Sequence, residues 1–318
     1  MERILVIGAN GQIGSELVQA LAARFSADNV LATDIAASHD HGSVRYARLD
    51  VLDRALLAET ILRERVTQVY QLAALLSATG ERNPLAAWRL NMDGLLHVLE
   101  LARERSLRVF WPSSIAAFGP STPREFTPQT TVMDPATIYG ISKLAGERLA
   151  AYYFARFGVD VRSLRYPGVI SWRTAPGGGT TDYAIDIFQS ARRGEEFRCF
   201  LAADTRLPMI HMPDAVRATL ELMEAPAERV RERGSYNLAG LSFTPAELTA
   251  AIRVRLPRFA IRYAPDFRQD IAAGWPQSID DSQAGADWGW APKFDLNAIV
   301  DDMLANIPLQ WPVTARAA

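Results

Sequence analysis

Tyr139 and Lys143 stand four residues apart in the stretch YGISK, so on one helix their side chains project from the same face. That pairing suggests proton-transfer chemistry. A free phenol has a pKa near 10 and is a weak base at neutral pH, and lowering it by about three units takes roughly 4 kcal/mol. A compact ammonium in a dry site can supply that stabilisation, whereas a planar guanidinium fits a crowded point poorly. The chain has 34 basic residues, and only Lys143 and Lys293 are lysine. Lysine retained at this spacing in an arginine-biased chain is the first sign of a site. Ser114 ends the run LRVFWPSS, 25 residues before Tyr139, and its hydroxyl could hold a substrate oxygen against the phenol. The plainer alternatives are a surface tyrosine beside a chance lysine and a serine that caps a turn.

The elements that must position these residues begin at the N-terminus. The apolar run ILVIG precedes GANGQIG, residues 8–14, and SELVQALAARF follows with Leu17, Val18, Leu21, Ala22 and Phe25 along one helical stripe. Gly8, Gly11 and Gly14 let the backbone turn tightly and approach a pyrophosphate at the helix N-terminus, where unpaired N–H groups favour anions. A second strand, NVLATD, ends in Asp34, twenty residues after Gly14, where a carboxylate would bind the adenosine ribose hydroxyls and repel a 2'-phosphate. NAD is therefore favoured over NADP. Asp34 as an ordinary strand-end turn residue is the competing reading. A third strand, VRYARLDV, ends in Asp50 and Val51, placed for the adenine edge or, for Asp50, for a helix N-cap.

Strand-like runs VTQVYQLAA, LRVFWPSS and VDVRSLRYPG then alternate with helices around LAAWRLNMDGLLHVLELARER and YGISKLAGERLAAYYFARF. This alternation predicts an α/β fold with a Rossmann-type doubly wound parallel sheet, its ligand lying beyond the carboxyl ends of the strands. The 318 residues suffice for a second, smaller α/β domain that binds substrate. The nucleotide domain is expected over 1–170 plus 206–238, and the substrate domain over 171–205 plus 239–318. There AELTAAIRVRLP and LNAIVDDMLANI read as amphipathic helices.

Composition narrows the function. A net charge of −2 gives no basic field for nucleic acid. One cysteine, Cys199, cannot form an internal disulfide and reads as a core residue, and four scattered histidines lack metal-ligand spacing, so no metal is expected. The first strand starts at residue 3 with no room for a leader, and no apolar run approaches the roughly 20 residues of a membrane span. A cytoplasmic enzyme is expected.

The motifs together resemble the extended short-chain dehydrogenase/reductase superfamily, the group of the nucleotide-sugar epimerases and dehydratases. The resemblance rests on the glycine cradle, LAA after the fourth strand, SSIAAFG, YGISK, RYPG and YNLAG. It implies Ser114, Tyr139 and Lys143 as the catalytic set, with Lys143 also on the nicotinamide ribose. For NAD it implies Gly8, Gly11, Gln12, Ile13, Gly14, Asp34, Asp50, Val51, Leu72, Ala73, Ala74, Asn91, Tyr139, Lys143 and Tyr166.

The chain departs from that pattern where epimerase-like members usually carry Arg-Tyr-Phe-Asn. Here Arg165, Tyr166, Pro167 and Gly168 follow one another, and the asparagine that holds a sugar diphosphate is missing. Arg206 and Asp214 keep the family frame, at least as a structural ion pair. A substrate without a nucleotide is expected. PGGGTTDYAIDIF offers backbone N–H groups at the glycines and a hydroxyl-rich, acidic corner at Thr180, Thr181 and Asp182. An amino acid suits it, with the carboxylate on N–H and hydroxyl donors and the ammonium on Asp182. Capping of the helix that follows is the competing reading.

With LAALLSATGE, LRYPGVIS and WPQSIDDS, this stretch resembles the short-chain type of L-threonine 3-dehydrogenase. The resemblance implies oxidation of the 3-hydroxyl of L-threonine to 2-amino-3-oxobutanoate. It places Ser77, Ser114, Tyr139, Gly178, Thr180, Thr181 and Asp182 on substrate, with Trp275 closing the pocket. It also suggests a homodimer, or a higher homo-oligomer, that pairs the helices near 84–105 and 139–157. A nucleotide-sugar epimerase, a non-catalytic NAD-sensing protein and a small-ketone reductase remain alternatives within the same fold.

Overall fold

Apolar, β-branched runs separated by helical stripes arrange themselves as the alternation predicts in the computed structural model, which describes residues 2–37 and 40–311. The expected substrate-domain stretch 239–318 runs beyond these residues at 312–318, and Met1 of the nucleotide stretch also lies outside them. The strands are β1 (Ile4–Ile7), β2 (Val30–Asp34), β3 (Arg45–Arg48), β4 (Gln68–Gln71), β5 (Arg108–Phe110), β6 (Ser113–Ser114) and β7 (Val161–Arg162). Six of them form one sheet of order β3-β2-β1-β4-β5-β7, every pair parallel. The order reverses between β1 and β4, which opens a crevice at their carboxyl ends.

Successive residues of a strand face opposite sides of the sheet, and two cores follow from that period. Ile4 and Val6 pack with Leu17, Val18 and Leu21 of helix α1 (Gln12–Phe25) on one face. Leu5 and Ile7 pack on the other face with Leu57 and Ile61 of α2 (Arg54–Glu64). Beyond the sheet come α3 (Ser77–Gly80), α4 (Pro84–Trp88), α5 (Gly94–Arg105) and α6 (Ile138–Phe157). The helix expected around LAAWRLNMDGLLHVLELARER is not regular, because one π-helical turn, Arg89–Asp93, separates α4 from α5.

Two strands expected to be continuous are broken, each at a proline and the second also at Ser163, directly after β7. Pro112 lacks the N–H a ladder needs and separates β5 from β6. Pro167 separates β8 (Leu164–Tyr166) from β9 (Gly168–Ile170), and the chain changes sheet there. β8 pairs with β6, and also with β12 (Tyr236–Asn237), whereas β9 pairs in parallel with β11 (Leu207–His211). The remaining strands are β10 (Phe197–Cys199), β13 (Leu241–Phe243) and β14 (Ile261–Tyr263).

A third core gathers the chain after β9. Tyr183 and Phe188 of α7 (Tyr183–Arg193) meet Leu207 and Met209 of β11, and Ile252 and Met303 from the two C-terminal amphipathic stretches complete it. Those stretches form helices over Pro245–Arg255 and Leu296–Asn306, the first opened by a reciprocal capping box of Thr244 and Glu247. Cys199 is fully buried in this core, as its lone occurrence suggested. Among the described residues, no helix is long and apolar enough to cross a membrane.

Candidate active site

Thr137 caps α6 by accepting from the Gly140 N–H at 3.0 Å, which starts the helix just before Tyr139. A Cβ on Gly140 would stand 2.1 Å from the Ala116 carbonyl oxygen, so only glycine lets α6 lie this close to the segment after β6. That approach brings Ser114, Tyr139 and Lys143 to one cavity. The Lys143 amine donates to the Pro112 carbonyl at 2.6 Å and sits over the Trp111 ring, 4.5 Å from its centroid, and over the Tyr139 ring at 5.4 Å. The Ser114 hydroxyl accepts from the Ala116 N–H at 3.2 Å, so it does cap the turn after β6 while still lining the cavity.

The electrostatics correct one expectation. Burial pushes Tyr139 up to about 12, with a hydrogen bond from Ser114 acting the other way, and burial pulls Lys143 down to about 7, opposed by Glu147. In the protein alone both groups therefore tend toward neutrality, and the ammonium lies over the phenol ring. The sequence-based estimate of the stabilisation required was too small because it left out desolvation of the phenolate. The depressed lysine has a thermodynamic consequence. Between pH 7 and 10.5 the unfolded chain binds a proton at Lys143 that the native chain has lost, so this residue's contribution to stability rises with pH across that window. The stability of wild type relative to Lys143→Met, measured by denaturant unfolding, is expected to increase from pH 7 to pH 10. A flat difference would show that Lys143 is not buried as described.

One helical turn after Lys143, the buried Glu147 accepts a bidentate pair from Arg165 at 2.9 and 2.8 Å and a hydrogen bond from Ser113 at 2.6 Å. Arg165 also donates to Asn237 and to the Gln129 carbonyl. This network anchors β6, β8 and α6 beneath the catalytic face. The i, i+4 spacing of Glu147 from Lys143 was a usable signal for it. Arg206 and Asp214 do not pair as the family frame suggested: Arg206 binds Glu247 and the Ser242 carbonyl, and Asp214 binds Arg217 and the N–H groups of Lys293 and Phe294.

The glycine cradle fits a dinucleotide pyrophosphate. Gly8 has φ +81, a Cβ there would lie 2.7 Å from the Ala73 nitrogen, and one on Gly14 would lie 2.3 Å from the Gly8 oxygen. Helix α1 starts at Gly11 with no side-chain cap and no acid in its first turn, which leaves its end open to an anion. Asp34 stands at the end of β2 and accepts from the N–H groups of Asn10 at 3.1 Å and Ala36 at 3.3 Å. Gln12, Ile13, Leu72, Ala74 and Tyr166 line the cavity that also holds the catalytic trio. Ala73 packs behind Gly8. Val51 is buried in the core, and Asp50 turns back to accept from the Leu52 N–H rather than capping α2, whose cap is Asp53. Asn91 is a clamp, its amide bonding both backbone groups of Leu75 and the Ser142 hydroxyl, which fixes the LAALL segment against α6.

Facing the trio across the cavity, Ser77 and Thr180 share a hydrogen bond of 3.2 Å, with Thr181, Asp182 and Trp275 beside them. Trp275 is both things the sequence allowed, a buried anchor of the third core and a wall of the cavity. Asp182 makes no side-chain cap for α7. Its Oδ2 accepts from the N–H groups of Gly178 and Gly179 at 2.9 and 2.7 Å. Those two donors are thus taken by Asp182. Burial raises Asp182 to about 6 despite these bonds. Leu76, Pro112, Ile115, Pro167, Gly168 and Val169 complete the walls. Of these, Pro167 and Gly168 were marked in the sequence by the departure from Arg-Tyr-Phe-Asn. The cavity has about 780 Å³ of empty space, open solvent at its mouth included.

A doubly wound sheet with a glycine cradle at β1, and a tyrosine and lysine one turn apart above the same crevice, define an NAD-dependent enzyme of the short-chain dehydrogenase/reductase kind. The chain belongs to the NAD dependent epimerase/dehydratase family, whose pattern it matches over residues 4–239. A GalE-like L-threonine dehydrogenase from Cupriavidus necator, solved in its holo form, is 61% identical, with a TM-score of 0.94 over 96% of this chain and 99% of that one. The mitochondrial L-threonine 3-dehydrogenase of Sus scrofa is 47% identical over 95% of this chain and 82% of its own. A monomeric L-threonine 3-dehydrogenase from a metagenome, solved in its apo form, is 44% identical, with a TM-score of 0.93 over 95% and 98% of the two chains.

Proposed function

We propose that this enzyme oxidises the 3-hydroxyl of L-threonine to 2-amino-3-oxobutanoate, with NAD as hydride acceptor. The observation that carries this reading is the single cavity in which Ser114, Tyr139 and Lys143 face the hydroxyls of Ser77, Thr180 and Thr181 and the carboxylate of Asp182. The likeness to L-threonine dehydrogenases at 61% and 47% identity supports it.

The backbone cradle at Gly8, Gly11 and Gly14 holds the pyrophosphate, and Asp34 takes the ribose hydroxyls, which favours NAD over its 2'-phosphate. When bound, NAD supplies a positively charged ring that accepts hydride. Ser114 and Tyr139 hold the substrate hydroxyl between them, and Tyr139, ionised, removes its proton as hydride leaves the same carbon. Lys143 stabilises the phenolate. Asp182 pairs with the substrate ammonium, while the threonine hydroxyls and Ser77 donate to its carboxylate. We further propose that the cleft lies between the nucleotide domain and the substrate domain expected from the sequence. The loop 177–182 and Trp275 exclude water from it.

The reading is tested by its product: incubation with NAD and L-threonine should yield 2-amino-3-oxobutanoate and its decarboxylation product aminoacetone, seen by mass spectrometry. Absence of both with reduced cofactor present would move the oxidation to another position. A pH dependence follows from Asp182, which is protonated below about 6 and cannot then pair with an ammonium. kcat/KM for L-threonine is expected to fall about tenfold per pH unit below 6. Asp182→Asn should give a low kcat/KM without that inflection, and an unchanged profile would remove Asp182 from the site.

We also propose pairing of two copies through α4 and α6, where Leu85 is 83%, Trp88 39% and Ile141 43% exposed. Light scattering on the eluting protein distinguishes a dimer from the monomeric state described for the metagenomic relative.

A further inference from the structure

Gly168 opens β9 on the inner wall of the cavity, directly after Pro167 has carried the chain into another sheet. A Cβ built on Gly168 would lie 2.7 Å from both Cβ and Cγ2 of Thr181 and 2.5 Å from Sδ of Met209. The sulfur belongs to a flexible side chain, although Met209 is itself fully buried. The Cβ of Thr181 moves only if the backbone of the 180–182 corner moves with it. On its other side the same loop is equally close to the segment around α3, since a Cβ on Gly177 would meet Leu76 at 2.9 Å and one on Gly178 would meet the Thr79 hydroxyl at 2.5 Å. The loop is therefore seated between β9 and residues 76–79 at distances that only bare backbone permits, and the Ser77–Thr180 hydrogen bond ties it there.

We propose that Gly168 is a specificity-determining residue of this site, resting on the dehydrogenase reading above. The missing side chain at 168 lets Thr181 lie against β9, and the depth of that seat matches the cavity to a short 3-hydroxy amino acid. Any side chain at 168 drives the 180–182 corner outward and lengthens the space between it and the Ser114–Tyr139 pair. L-threonine then loses its carboxylate and ammonium contacts together, while the space fits an amino acid whose hydroxyl lies one carbon further from those groups.

The experiment compares L-threonine with 4-hydroxynorvaline, which has one more methylene between the hydroxyl-bearing carbon and the α-carbon, on wild type, Gly168→Ala, Thr181→Gly and the double variant. Gly168→Ala is expected to raise KM for L-threonine at least about tenfold, and to move the ratio of kcat/KM values toward 4-hydroxynorvaline by about tenfold, the scale of one methylene in a pocket. Thr181→Gly opens the same space from the opposite side and should move the ratio in the same direction. In the double variant the close contact is gone, so KM for L-threonine should be no worse than in Thr181→Gly alone. NAD binding by calorimetry reports whether each variant is folded. An equal fall for both substrates in Gly168→Ala and in Thr181→Gly, or no change in either, would overturn the inference and leave the dehydrogenase reading standing. A wild-type protein inert toward both amino acids would instead sink that reading, and this inference with it.

Discussion

Tyr139→Phe is expected to lower kcat with L-threonine by about a thousandfold or more, while NAD binding changes little. The substitution deletes the one oxygen placed to take the substrate proton and leaves the ring, so the buried shape of the site is kept. Removal of a positioned general base typically costs 10² to 10⁴ in rate, and the upper part of that range applies where no second group can serve. Ser114 lines the same cavity, but a serine hydroxyl has no tendency to ionise near neutrality. The size of the effect also reflects how much the site must do to ionise this phenol. From about 12 to near neutrality is about five units, or roughly 7 kcal/mol. A unit charge at the 5.4 Å between the Lys143 amine and the ring centre contributes about 3 kcal/mol at the effective dielectric of a protein site. The ammonium is therefore necessary and insufficient by itself, and the positive ring of the bound cofactor is the natural second contribution. A Tyr139→Phe enzyme with normal turnover would remove the proposed base.

Lys143→Arg is expected to lose about a hundredfold or more in kcat and to shift the remaining activity to higher pH. The positive charge is retained, so loss of activity would report geometry. Lys143 donates to the Pro112 carbonyl beneath the face of Trp111, and a Cβ on Gly146 would already stand 2.3 Å from that indole. Trp111 has no space to retreat, and a planar guanidinium must leave the slot. On the proposed mechanism the ammonium favours the phenolate, and the phenolate in turn favours the ammonium against burial. A displaced guanidinium breaks that reciprocity, which raises the pH at which the phenol ionises. The pH profiles of kcat for the two enzymes measure this directly, and coincident profiles would show that Lys143 acts by charge alone.

Features set by local spacing could be read without the structure. The glycine cradle, the stripe Leu17–Val18–Leu21, the helix carrying YGISK and a parallel sheet follow from periods of 2 and 3.6, from the alternation of strands with helices and from turn chemistry. Features set by partners distant in sequence were not accessible in that way. Asp182 turns onto its own loop instead of capping α7, Asn91 ties Leu75 to Ser142, and Asp214 holds the backbone at Lys293 and Phe294. In each case a short polar side chain had several acceptable partners, and tertiary packing selected one. The breaks at Pro112 and Pro167 were visible as prolines, but the change of sheet at Pro167 depends on which strand lies alongside. The desolvation that moves Tyr139 and Lys143 toward neutrality is likewise a property of burial, which spacing does not report.

The central claim is oxidation of L-threonine by NAD at the Ser114–Tyr139–Lys143 site. Its most direct test is the absorbance of reduced nicotinamide when the purified protein meets NAD with L-threonine, D-threonine, L-serine or a uridine diphosphate sugar, with any sugar epimer followed by chromatography. Rapid reduction with L-threonine, and little or none with the other three, is the expected result. No reduction with L-threonine, together with epimerisation of the sugar, would contradict it and make the cavity a nucleotide-sugar site in the same fold.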